Sequence, residues 1–183
     1  LDARVRRRNA AEARFRAYGF AAVLVALLAL AWLLYAILSA GLPAFRQTVI
    51  QIPVTLDAAQ LDKAGNRNRA DLSKVTTVTY AKLLSAGLKS AITEKGIATE
   101  GMNDKQITGM LSQEAPATLR RAVLSDPSLI GQTITFDALA TGRVDGYYKG
   151  RVTLESATRD RNVTPEQLRL ADALKSAGLL STS

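Results

Sequence analysis

The chain contains no cysteine and no histidine. Without cysteine it has no disulfide framework, no thiol nucleophile and no thiolate metal site. Without histidine it has no imidazole base and no imidazole ligand. Most hydrolase triads, zinc sites and haem sites are thereby excluded, and no cofactor is expected. The carboxylates are scattered singly, so no paired acid/base or metal constellation emerges. Neither G-x-x-x-x-G-K-[ST] nor G-x-G-x-x-G occurs, so no nucleotide loop is expected. A Ser–Lys nucleophile is the remaining enzymatic option. Ser73-Lys74 and Ser85 to Lys89 supply the residue types without a signature spacing. Aromatics are only 5% of the 183 residues, and six of those ten lie at or before residue 45. The rest of the chain must build its core from Leu, Ile, Val and Ala.

A further shortage is local. No charged residue occurs from Ala17 to Phe45. The stretch from Tyr18 to Leu42 is almost wholly apolar, and as a helix it covers ~37 Å, enough for a ~30 Å hydrocarbon core with some tilt. Gly41 and Pro43 end it. A cleaved signal peptide has a shorter apolar core, of roughly 7–15 residues, and a buried soluble helix rarely stays uncharged for so long. Arg7-Arg8 lacks the apolar continuation of a twin-arginine signal. The run therefore reads as a transmembrane helix in contact with lipid, within a flanked segment 17–45.

Charge on the flanks sets the expected orientation. Residues 1–16 carry Arg4, Arg6, Arg7, Arg8, Arg14 and Arg16 against Asp2 and Glu12, whereas only Arg46 follows the span before Asp57. The positive-inside rule places 1–16 as a basic cytoplasmic tail and 46–183 outside, in the periplasm of a bacterial inner membrane. Half of the net charge of +8 is thus topology rather than a partner-binding surface. Within the span Ala22, Ala26, Ala29, Ala36 and Ala40 follow a 4,3 spacing broken only at Leu33. Small residues so spaced let another helix approach closely, which implies a partner span. No charge interrupts the helix, so it reads as an anchor and not a conduction path.

Residues 46–183 read as a small mixed α+β domain. Ile50, Ile52, Val54 and Leu56 alternate with polar residues and Pro53, predicting a strand at an edge position. Residues 63–71 are polar and predict a loop. Tyr80, Leu83, Leu84, Leu88 and Ile92 recur at helical spacing after Thr77 or Thr79 as cap. Asn103 caps a helix with Ile107 and Met110; Ala115-Pro116 opens another that Asp126-Pro127 stops. Thr133 to Leu139 predicts a second strand. Thr164-Pro165-Glu166-Gln167 is a strong helix start, closed by Gly178.

The candidate contact site is the stretch 141–151, read as a turn-rich loop. It concentrates Arg143, Asp145, Tyr147, Tyr148 and Lys149 among three glycines and suits partner docking or an anion contact. The Arg67/Arg69 loop and the Arg120-Arg121 pair read as solvated charge. Nothing has the basic, aromatic-interleaved face of a nucleic-acid binder.

The N-terminus RRRNAAEARFRAYGFAAVLVALLALAWLLYAILSAGLPAFRQT resembles that of a proteobacterial subgroup of PstA-type phosphate ABC-transporter permeases. VIQIPVTLD, LIGQTITFDA, the D-x-Y-x-K-G stretch at Asp145 to Gly150 and QLRLADALKSAGLL extend the resemblance over nearly the whole chain. It implies inorganic phosphate import, with ATP hydrolysis on separate subunits and no catalytic residue here. The implied partners are a second permease subunit, the ATPase subunits and a periplasmic phosphate-binding protein. Such permeases continue into further spans, so the chain is expected to be an excerpt: first span plus outer domain. The alternative is a single-pass membrane scaffold with a periplasmic interaction domain.

Overall fold

The computed structural model describes residues 2–41 and 45–183, with side chains from Glu12 onward. The expected stop at Pro43 and the side chains of Arg6, Arg7 and Arg8 lie outside the described residues. The chain separates into two compact units, residues 1–45 and 46–183. The first is a single helix, α1 (Asp2–Gly41), which runs without interruption through the basic tail and the apolar stretch. From Glu12 to Gly41 this helix is long and apolar enough to cross a membrane. Its large side chains, among them Phe20, Leu28, Trp32 and Ile37, are exposed. An apolar surface of this extent needs a partner or a lipid environment.

The second unit is mixed α+β. It is built on a three-stranded antiparallel sheet in the order β2-β1-β3. β1 (Thr48–Thr55) is the central strand. Its alternation buries Ile50, Ile52 and Val54 completely on one face, as its period-2 pattern requires. β2 (Thr133–Leu139) pairs with β1 along its whole length, from Val49↔Leu139 to Thr55↔Thr133. β3 (Leu180–Thr182) pairs only with Thr48 to Ile50.

The edge expectation for Pro53 is therefore corrected. Its strand is central, but β3 ends before reaching it. The Gln51 amide donates toward the β3 side, to the Leu179 carbonyl at 2.7 Å. Two residues on, the nitrogen of Pro53 points to the same side, where no strand asks for a donor.

Short helices α2 (Ala58–Leu61) and α3 (Arg69–Leu72) follow β1. The second of these falls partly within the predicted loop 63–71. α4 (Thr77–Glu94) buries Tyr80, Leu84, Leu88 and Ile92 against β1 and α6 (Ala115–Ser125). Its cap position is Thr76 rather than Thr77 or Thr79, and no side chain caps it. α5 (Asp104–Thr108) begins with the Asn103 capping box. After β2 come α7 (Gly142–Tyr148), α8 (Leu154–Ala157) and α9 (Pro165–Ser176), the last with the Thr164–Gln167 capping box.

Gly178, at φ +77°, ends α9 by a left-handed turn. The Leu179 amide reaches back to the Leu174 carbonyl at 2.9 Å, and the reversal lays β3 beside β1.

α4 reaches β1 because residue 87 is glycine. A Cβ there would sit 2.3 Å from the Pro53 carbonyl oxygen and 2.9 Å from Ile52 Cγ2. Tyr80 offers the contrast. It is fully buried, and its hydroxyl finds no hydrogen-bond partner among the described residues.

Two substitutions separate packing from polarity. Gly87→Ala forces helix and strand apart and is expected to cost ~3 kcal/mol. Tyr80→Phe removes an unsatisfied buried hydroxyl and is expected to be neutral or stabilising, within about 1 kcal/mol. Urea midpoints of the detergent-solubilised chain check both. Equal losses in the two variants would refute the assignment.

Candidate functional site

The stretch predicted as a docking loop is α7, a helix held from both ends. Thr141 caps it, its hydroxyl oxygen accepting from the Val144 amide and its carbonyl from the Asp145 amide. The loop expectation fails for a physical reason. Gly142 and Gly146 lower helix propensity, but burial of Val144 and Gly146 stabilises the helix through packing. A Cβ at Gly146 would lie 3.2 Å from Val152 Cγ2, so a larger residue there requires Val152 to give way by a few tenths of an ångström.

The polar groups of α7 are turned to internal partners. Asp145 accepts from the Thr48 amide at 3.1 Å and from the Thr48 hydroxyl at 3.0 Å, and pairs with Lys149 at 2.6 Å. This pins α7 to the first residue of β1. Burial alone pushes the Asp145 carboxyl upward. Hydrogen bonds from Lys149 and Thr48, with the Lys149 charge, outweigh it and hold the group below the usual carboxylate range.

Tyr147 and Tyr148 both donate to one carboxylate, Asp172 on α9, at 2.8 and 3.1 Å. Their rings meet edge to face at 5.3 Å, and the Lys175 ammonium lies 4.5 Å from the Tyr148 ring centroid. The Tyr147 hydroxyl is raised by its bond to Asp172 and then by burial. The Tyr148 hydroxyl is raised further, by burial first and then by the Asp172 charge. Arg143 pairs with Asp160 at 3.2 Å and remains half-exposed. Among the five predicted docking residues, Arg143 thus presents most to solvent, while Asp145, Tyr147, Tyr148 and Lys149 chiefly clasp α7 to β1 and α9.

Thr48, Asp160, Asp172 and Lys175 were not singled out from the sequence. A signal existed for Asp172: with Leu168, Ala171 and Lys175 it follows i, i+3, i+4, i+7 spacing on α9, so a carboxylate lies on the packed face and needs a donor.

Other predicted positions divide. Ala22, Ala26, Ala29, Ala36 and Ala40 lie exposed on α1. Arg16 pairs with Glu12 at 2.7 Å. Arg120 is not solvated charge. It donates to the carbonyls of Val75 at 3.0 Å and Ser73 at 2.6 Å, closing the turn between α3 and α4. Arg67 likewise donates to the Ile130 carbonyl at 3.2 Å. Among the described residues no group of three or more acidic side chains gathers as a metal site.

One protein family, described as a domain of unknown function (DUF3333), matches residues 2–158. The chain belongs to the DUF3333 family. The match takes in α1, β1, β2 and the whole of α7, and stops before Asp172. Neither a curated protein nor a solved structure matches the chain.

The clasp carries a pH signature. Because the folded Asp145 carboxyl lies below its ordinary value of about 3.9, its contribution is present above that pH and disappears as pH falls through the folded value. Asp145→Asn is expected to cost ~1–3 kcal/mol at neutral pH and to flatten the acid limb of the stability curve below about pH 4. Urea midpoints measured from pH 2 to 7, at about unit steps, check this. An acid limb that is the same in both proteins removes Asp145 from the clasp.

Proposed function

We propose that the chain is the membrane-anchored N-terminal segment of the permease subunit of a phosphate ABC importer, serving inorganic phosphate uptake across a bacterial inner membrane. The sequence resemblance to that family motivates the reading. In it, α1 anchors the subunit with its N-terminus in the cytoplasm, and residues 46–183 form a periplasmic domain. The seam from Ala22 to Ala40 packs against a span of the second permease subunit. ATP is hydrolysed on separate ATPase subunits, and a periplasmic phosphate-binding protein delivers the substrate.

One structural observation fits this reading. Gln47 and Ser183 exchange both backbone hydrogen bonds, Gln47 N–H to Ser183 O at 2.7 Å and Ser183 N–H to Gln47 O at 3.1 Å. Chain continuing past Ser183 would set off from beside the residue that follows the first span. That is the geometry of a domain looped out between two membrane spans. Domains whose ends lie together tolerate insertion and removal well.

The same geometry supplies the test. Residues 47–183 are replaced by a short linker in the full-length protein of the native host. With membrane insertion and assembly verified, phosphate uptake is expected to fall about tenfold, the effect of losing ~1.4 kcal/mol of docking free energy. Deletion of the whole gene is expected to abolish uptake by this system. A whole-gene deletion without a phosphate phenotype rejects the transport reading in favour of a single-pass scaffold.

A further inference from the structure

An open groove of ≈ 780 Å³ runs between α4, α5, the segment leading into α6 and the start of α7. Its lining is mixed: the small Ala81 and Ser85, one turn apart on α4, and Leu111 lie among the polar Thr108, Ser112 and Gln113. Its rim carries Lys105, Arg143 and Asn162, and no Asp or Glu lines it. The two cations come from different helices, so their convergence is a product of the fold.

Their partners show which charge remains available. Arg143 leans on Asp160, which is largely covered, and stays half-exposed itself. The carboxylate next to Lys105 in the chain, Asp104, is taken by Lys89. Lys105 is exposed and makes no ion pair with any described residue. A neighbouring trough shares Ala81, Ser85 and Lys105 and adds Lys82, together with the Lys89–Asp104 pair, so a net positive rim extends along α4.

From this we propose that the groove docks an acidic peptide segment of a partner protein. Its carboxylates meet Lys105 and Arg143, and its backbone lies over Ala81 and Ser85, where small side chains permit close approach. The openness of the groove favours a chain segment over a small molecule, because small ligands are mostly enclosed by their sites. Charge complementarity of this kind sets partner choice and association rate. The inference is independent of the transport reading, and concerns a surface distinct from the Asp145 and Asp172 clasp.

The test uses the full-length protein in its native membrane. A photoreactive benzophenone side chain is introduced at Asn162, which is exposed at the rim. Gln51, exposed on the sheet, is the control position. Irradiation is expected to give an adduct at Asn162 whose partner peptide, read by mass spectrometry, is rich in Asp and Glu. Lys105→Glu is expected to lower the yield at least about tenfold, which corresponds to ~1.4 kcal/mol, while Lys105→Arg preserves it. Since Lys105 makes no ion pair with a described residue, neither variant is expected to move the urea midpoint. No adduct at Asn162, an adduct insensitive to Lys105→Glu, a lipid adduct, a partner peptide without carboxylates, or equal labelling from Gln51 would each overturn the proposal. An adduct in cells whose phosphate uptake is unaffected by deleting the gene would leave the groove standing and remove the transport reading. Lost uptake without an adduct would do the reverse.

Discussion

Ile50, Ile52 and Val54 lose all solvent exposure on one face of β1, and the second unit is arranged around that burial. Each such side chain is worth ~1.5–3 kcal/mol when removed from water. Covering the face takes α4, which approaches the strand only because Gly87 has no side chain to strike Pro53. Pairing takes β2 along the full length and β3 at the start. The short reach of β3 explains Pro53 in a central strand. Its missing donor falls past the end of β3, where neither ladder needs it.

Carboxylates perform the second organising task. Asp145 ties α7 to the first residue of β1, and Asp172 gathers two tyrosine hydroxyls from α7 onto α9. Each shared acceptor satisfies two partners, so a few polar groups tie together three elements. The clasp sits at the start of β1, the same end at which β3 and Ser183 return to Gln47. Packing and polar pairing thus converge on the end of the sheet where Gln47 and Ser183 meet. Polar residues that read as a docking surface are mostly consumed by this, and the cations that stay available lie on the other side of α7's start, toward α4 and α5.

How far the sequence discloses this depends on the range of the forces involved. α6, α9 and β2 were legible with near-correct bounds, because caps, stops and periodicity act within a few residues. Asn103 and Thr164 cap as their spacing demands. α7 was not legible: its glycines argue locally for turns, and the packing that overrides them comes from Val152 and from distant β1 and α9. β3 was equally hidden, since three residues carry no periodic signal and become a strand only when Gly178 turns them onto β1. Arg120 read as solvated because its acceptors, the Ser73 and Val75 carbonyls, lie far away in sequence.

What the sequence determined by itself is one long apolar helix with a basic flank, a chain without thiol or imidazole chemistry, and the hydrophobic periods of an α+β unit. All three follow from composition and short-range pattern. The tertiary structure alone decided that Asp145 and Asp172 are partners rather than surface charge, that Lys105 and Arg143 face one groove, and that Ser183 ends beside Gln47. Those outcomes require residues far apart in sequence to meet, and a meeting of that kind is set by how the whole core closes rather than by any local stretch of chain.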